Sequence, residues 1–235
     1  MLPLSAADVH HASAVLRVRA GEELDIAGPD GRVWRVRVLC ADADGVNAER
    51  LGEVAAVREP RVTLVFGVAK GSKNDDIVEG AVEIGVAEVW PVLTARSVVK
   101  LDAHKRLERG ERLRRVAMAA AKQSKRACVP HVADPSDLSV VLPLLAGFDL
   151  VLVAWEEAAG PGLRAAVAAA ALSQDARVAV VVGPEGGLTA HEVATLTHAG
   201  AVACTLGATI LRAETAGVVA TALVVHELGG LGHAL

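Results

Sequence analysis

The sequence predicts an α/β fold, a mainly parallel sheet with helices on both faces, preceded by a small β unit. Three observations predict it. From Arg61 onward, short runs rich in Val, Leu and Ala alternate with stretches of helical spacing. Before about residue 58 the apolar period is instead two, as in half-buried strands. Two glycine-bearing turns, Gly183–Gly187 and Leu206–Ala216, each follow a strand-like run and precede a helix-like one. That places both at the C-terminal edge of a parallel sheet, where α/β folds bind ligands.

In chain order, Glu23-Leu24-Asp25-Ile26 and Arg32 to Val38 read as strands, separated by the turn Gly28-Pro29-Asp30-Gly31. Residues 1–58 therefore read as a small β-barrel or sandwich. Val57 to Arg61 is the linker, with Pro60 disfavouring helix at the residue before it. In the second unit, 61–235, strands are expected near 62–68, 86–92, 149–154, 177–182 and 202–206. Helices are expected near 74–84, 103–124, 161–172, 189–198 and 213–228. Thr189, with Glu192 three residues on, forms a capping box before the fourth helix.

Composition narrows the function. Of the 235 residues 52% are hydrophobic, but Ala and Val dominate, and no apolar run reaches the ~18 residues of a membrane span. The N-terminus has no signal-peptide pattern, and the three cysteines lack paired spacing, so a cytoplasmic protein with reduced thiols is expected. The net charge of −4 hides an asymmetry: Arg96 to Arg126 holds eleven Lys or Arg against three acids, +8 on a body of −12. Such a segment reads as a polyanion-docking face, or else as a solvated helix face neutralised by ion pairs.

Several motifs fail on spacing. Gly67 to Lys73 has three residues between its glycines where a phosphate loop needs four. No Gly-x-Gly-x-x-Gly or Gly-x-Ser-x-Gly is present. His191-Glu192 and His226-Glu227 lack the second histidine of a zinc site, so no metal is expected.

The two glycine turns remain. Together with His10-His11-Ala12 to Arg17, Lys70-Gly71, Glu83-Ile84-Gly85, Arg96-Ser97, Lys122 to Arg126 and Trp155-Glu156, they make the chain resemble the bacterial ribosomal RNA small-subunit methyltransferase E family. The resemblance covers most of the chain. It implies a PUA-like β-barrel joined to a SPOUT methyltransferase domain with a C-terminal trefoil knot. It also implies a homodimer that transfers methyl from S-adenosyl-L-methionine to uridine N3 of 16S ribosomal RNA, free or in the assembled small subunit. The chain departs from the family pattern at Gly80, Ala81 and Val82, where more polar residues are expected, and at Lys122, where Glu is frequent.

On this reading Trp155, Glu156, Val182, Gly183, Glu185, Gly187, Leu206, Gly207, Ile210, Leu211 and Thr215 hold the cofactor. Trp155 reads equally as a rim-packing aromatic. Glu214 is the first candidate for general base and Arg212 for stabilising charge on the uracil oxygens; the alternative is a structural Arg212–Glu214 pair. Arg17, Arg19, Lys70, Arg96, Gln123, Lys125 and Arg126 are the expected RNA contacts. Competing readings are a knotted methyltransferase with another nucleotide target, a non-catalytic ribosome-assembly factor, and an ordinary small-molecule α/β enzyme.

Overall fold

The computed structural model describes residues 18–28, 32–41, 45–54, 59–173 and 175–231. Arg17, the His10-His11 segment, residues 29–31 of the turn, and Val57 and Arg58 of the linker lie outside these. The chain divides into two units, Met1–Val57 and Arg58–Leu235.

The first unit contains a three-stranded antiparallel sheet, β1 (Glu23–Ala27), β2 (Val33–Ala41) and β3 (Val46–Val54), with β2 central. Alternation along β2 buries Val36 and Val38 and turns Arg35 and Arg37 outward. Those arginines face Asp25 and Glu23 across the β1 ladder and pair with them at 2.9 Å. Opposite charges directly across two strands favour this register over a one-residue slip.

The second unit is built on parallel strands: β4 (Arg61–Gly67), β5 (Glu88–Leu93), β6 (His131–Val132), β7 (Ser136–Asp137), β8 (Leu150–Ala154), β9 (Arg177–Val182) and β10 (Val202–Cys204). Their order is β10-β8-β9-β4-β5-β6, with β7 also on β5, and every pairing is parallel. Strands β4, β8 and β9 are near-continuous apolar runs because both faces are covered. One face carries Val62, Leu64, Phe66, Val178 and Val180, and the other Val65, Val151, Val153, Ala179 and Val181.

The long helices cover the first face: α1 (Lys73–Ile84), α2 (Ala103–Gln123) and, near the C-terminus, Ala213–Glu227. The second face is covered by α3 (Leu138–Val141), the 3-10 turn Leu142–Gly147, and the helix Ala190–His198. Chain order then makes α4 Leu163–Ala169, α5 Ala190–His198 and α6 Ala213–Glu227. The Thr189–Glu192 capping box forms as expected, with both reciprocal bonds present. Gly80 explains one departure from the family pattern. A Cβ there would sit 2.7 Å from Val218 Cγ2, so the missing side chain lets α1 and α6 approach closely.

The sequence did not reveal β6, β7, α3 or the 3-10 turn. Two-residue strands are too short to show a period, and Pro143 broke the apolar run that hides the turn.

Candidate active site

Strands β10, β8 and β9 are adjacent and parallel, so the loops leaving Cys204, Ala154 and Val182 emerge side by side. Between them lies a cavity of about 410 Å³, within the ~300–1,000 Å³ typical of small-molecule sites. Trp155, Glu156, Val182, Gly183, Glu185, Gly187, Leu206, Gly207, Ile210, Leu211, Arg212 and Glu214 all line it. Thr215 does not line it; the residue is exposed on the first turn of α6. Ala208 and Thr209 of the second turn also line the cavity, as do Lys73 and Thr205, which lie outside both turns.

Backbone geometry explains the glycines of the first turn. A Cβ on Gly183 would lie 2.7 Å from the Gly187 carbonyl carbon and 2.8 Å from Leu188 N. Only a bare α-carbon lets the turn fold back on itself this tightly. Gly187 adopts φ 70°, its N–H closing the turn on the Pro184 carbonyl at 2.8 Å. In the second turn Thr205 Oγ1 accepts from Gly207 N at 3.1 Å and donates to Gly207 O at 3.0 Å. The Thr205 backbone is tied to the next loop: Leu163 N donates to its carbonyl at 3.0 Å.

The charged groups are unevenly satisfied. Glu185 Oε1 accepts from Lys70 N at 3.2 Å and pairs with Lys73 Nζ at 3.1 Å. Burial works against its ionisation, but its own N–H, Lys73 and Lys70 together hold the carboxyl below its ordinary range. Glu214 differs. Its Oε2 is buried and has no hydrogen-bond partner among the described residues, so Arg212, two residues before it, does not hold that atom. A buried carboxylate oxygen without a partner is costly unless something completes it. Three carboxylates against two cations leave the lining with one negative charge in excess. With its apolar walls and turn backbones, that lining suits a nucleoside bearing a positive charge.

Of the residues expected to meet RNA, Lys70, Gln123 and Lys125 are exposed, and Arg19 is exposed in the first unit. Arg96 is exposed but donates to Gly186 O at 2.9 Å. Arg126 is a correction. Its side chain is only 7% exposed, pairs with Glu59, and donates to the carbonyls of Val82 and Val86. It is committed to the fold and presents nothing to a phosphate. The +8 segment keeps about half of its surplus, because acids from outside it, with Glu59, offset four of the eight charges. Arg106, Arg112 and Arg114 pair with Asp137, Asp75 and Asp134, acids distant in sequence that a count within the segment missed.

A family model described as an RNA methyltransferase domain matches residues 57–225. The chain is 33% identical to ribosomal RNA small subunit methyltransferase E of Bacillus subtilis, over 95% of this chain and 89% of that one. It is 37% identical to the protein of that name from Mycobacterium bovis, over 89% of this chain and 80% of that one. Among solved structures it is similar to the small subunit methyltransferase E of Neisseria gonorrhoeae bound to S-adenosyl methionine. That match has a TM-score of 0.74 and 30% identity, and covers 93% of this chain and 88% of that one. On the strength of these matches, with the cavity at the ends of β8, β9 and β10 made by the two glycine turns, the chain belongs to the ribosomal RNA small subunit methyltransferase E family.

Proposed function

We propose that the protein transfers the methyl group of S-adenosyl-L-methionine to N3 of a uridine in 16S ribosomal RNA. The observation that carries this reading is the unpartnered, buried Oε2 of Glu214, a residue that lines a cavity walled by the loops of three adjacent strands. The Neisseria relative with bound S-adenosyl methionine supports the choice of donor. When bound, the cofactor supplies an electrophilic methyl on a positively charged sulfur.

The chain's own residues supply alignment and proton handling. The turns at Gly183 and Gly207 offer backbone groups and the apolar sides of Val182, Leu206 and Leu211 to an adenine. Uridine N3 carries a proton and becomes a competent nucleophile only as that proton leaves. Glu214 Oε2 accepts it while the N3–C bond forms and the C–S bond breaks. Arg212, exposed at the rim, faces the charge that develops on the uracil oxygens.

The same reading makes the first unit a PUA-like RNA-binding barrel and the second a SPOUT domain with its C-terminal trefoil knot. The likeness of the whole chain to the Neisseria structure supports the latter. It also makes the protein a cytoplasmic homodimer with the cavity near the subunit interface. Ile210, 86% exposed on the cavity rim, is an apolar residue that a second copy would cover. Among the described residues no helix is long and apolar enough to cross a membrane. The test is nucleoside mass spectrometry of ribosomal RNA from a strain lacking the protein. Loss of 3-methyluridine, restored by the wild type, supports the reading; an unchanged 3-methyluridine level refutes it.

A further inference from the structure

Arg96 stands at the junction of two regions that sequence reasoning kept apart, the basic segment and the cofactor turn. Its Nη1 donates to Gly186 O at 2.9 Å and to Leu188 O at 3.4 Å. Contact is close enough that a Cβ on Gly186 would lie 3.1 Å from Arg96 Cβ. Next to it, Ala95 N donates to Glu192 Oε1 at 2.8 Å. The other oxygen of Glu192 accepts from Thr189 N and Thr189 Oγ1, both at 2.8 Å. Residues 94–97 are themselves a closed turn, with Thr94 N bonded to Ser97 Oγ at 3.0 Å and Ser97 N to Thr94 O at 3.1 Å. The loop after β5 thus grips the loop after β9 at two points.

The glycine turn needs that grip. Gly183, Gly186 and Gly187 give the segment more conformational freedom than any other residue type would, and ordering it opposes ligand binding. Glu185 fixes one side through Lys70 and Lys73, and Arg96 fixes the other. A guanidinium has five donors in a rigid fork. Among the described residues the hydrogen bonds of Arg96 are made by Nη1, which leaves Nε and Nη2 as further donors on an exposed residue.

Resting on the reading of the cavity as a methyl-donor site, we propose that Arg96 is a positioning residue that couples RNA to cofactor. One arm of the guanidinium locks the Gly183–Gly187 turn in its binding form, and the other receives an RNA phosphate. RNA docking then steadies the arm that holds the turn, and cofactor affinity rises with RNA bound. By linkage, the cofactor tightens RNA binding by the same factor.

The test is calorimetric titration of S-adenosyl-L-methionine into wild type, Arg96→Ala and Arg96→Lys, each alone and with a 16S ribosomal RNA transcript. Without RNA, Arg96→Ala is expected to weaken cofactor binding about tenfold at a melting temperature near that of wild type. Arg96→Lys keeps the charge but lacks the fork, and recovers RNA affinity while leaving the cofactor deficit largely in place. RNA is expected to raise cofactor affinity several-fold in wild type and not in Arg96→Ala. Gly186→Ala, which pushes on Arg96 from the opposite side, should reproduce the cofactor deficit. Equal cofactor affinity in wild type and Arg96→Ala, or equal enhancement by RNA in both, overturns the proposal. Failure of the wild type itself to bind the cofactor refutes the reading of the cavity instead.

Discussion

Arg126 and Glu59 form a two-pronged ion pair across 67 residues of sequence, Nε to Oε1 at 2.9 Å and Nη2 to Oε2. The remaining nitrogen of the guanidinium ties the carbonyls of Val82 and Val86 at the end of α1. One side chain thus joins the segment before β4, the turn after α1 and the turn after α2. Truncating it takes the guanidinium from the Val86 carbonyl and from a part-buried carboxylate, while Val82 O keeps the Gly85 N–H. Arg126→Ala is expected to destabilise the protein by roughly 2–4 kcal/mol, read by urea denaturation. RNA affinity of the folded fraction should stay at the wild-type level.

Gly183→Ala tests the turn itself. The added methyl meets backbone atoms of Gly187 and Leu188 below 3 Å, and backbone cannot swing aside as a side-chain tip can. Cofactor affinity should fall by about tenfold or more, with a stability loss of roughly 1–3 kcal/mol. Gly52→Ala, at a glycine with nothing within 4 Å, is the control and should change neither.

The loop anchor at Glu192 has a pH signature. Burial opposes its ionisation, yet the donors from Ala95 and Thr189 prevail, with Arg96 assisting, and hold the carboxyl below its ordinary 4.5. A carboxylate depressed in the folded state contributes stability above its unfolded pKa and loses it as pH falls through the folded value. Glu192→Gln should therefore melt lower than wild type at neutral pH, by about 1 kcal/mol. The gap should close in acid, as measured by thermal melts from pH 7 down to about 3.

Cys204 is buried and its thiol is pushed by burial up to about 11, with Sγ 3.6 Å from the Val153 carbonyl. Cys40 and Cys128 are exposed. Iodoacetamide should modify two thiols in the native protein and a third only after denaturation, counted by mass spectrometry.

Much of this was legible in the sequence, for identifiable reasons. Strands β4, β8 and β9 announced themselves because a strand buried on both faces must be apolar throughout, and the Thr189–Glu192 box because its reciprocal bonds require those residue types. The cavity was legible because glycine at 183 and 187 is demanded by backbone overlap and positive φ, which leave a mark in sequence. Lys73 was not, since its place on the wall depends on the Glu185 carboxylate arriving from another loop. The charge of the basic segment was overcounted for the same reason: Asp75, Asp134 and Asp137 reach Arg112, Arg114 and Arg106 only after folding. Pairings distant along the chain leave no local pattern.

The central claim is that Glu214 takes the uridine proton, and Glu214→Gln in single-turnover methyl transfer tests it most directly. Gln keeps the shape and a polar end but cannot accept a proton. The account predicts a rate lower by about 100-fold or more, with the cofactor dissociation constant changed no more than about threefold. A rate equal to wild type, or equal losses of rate and cofactor affinity, would contradict it.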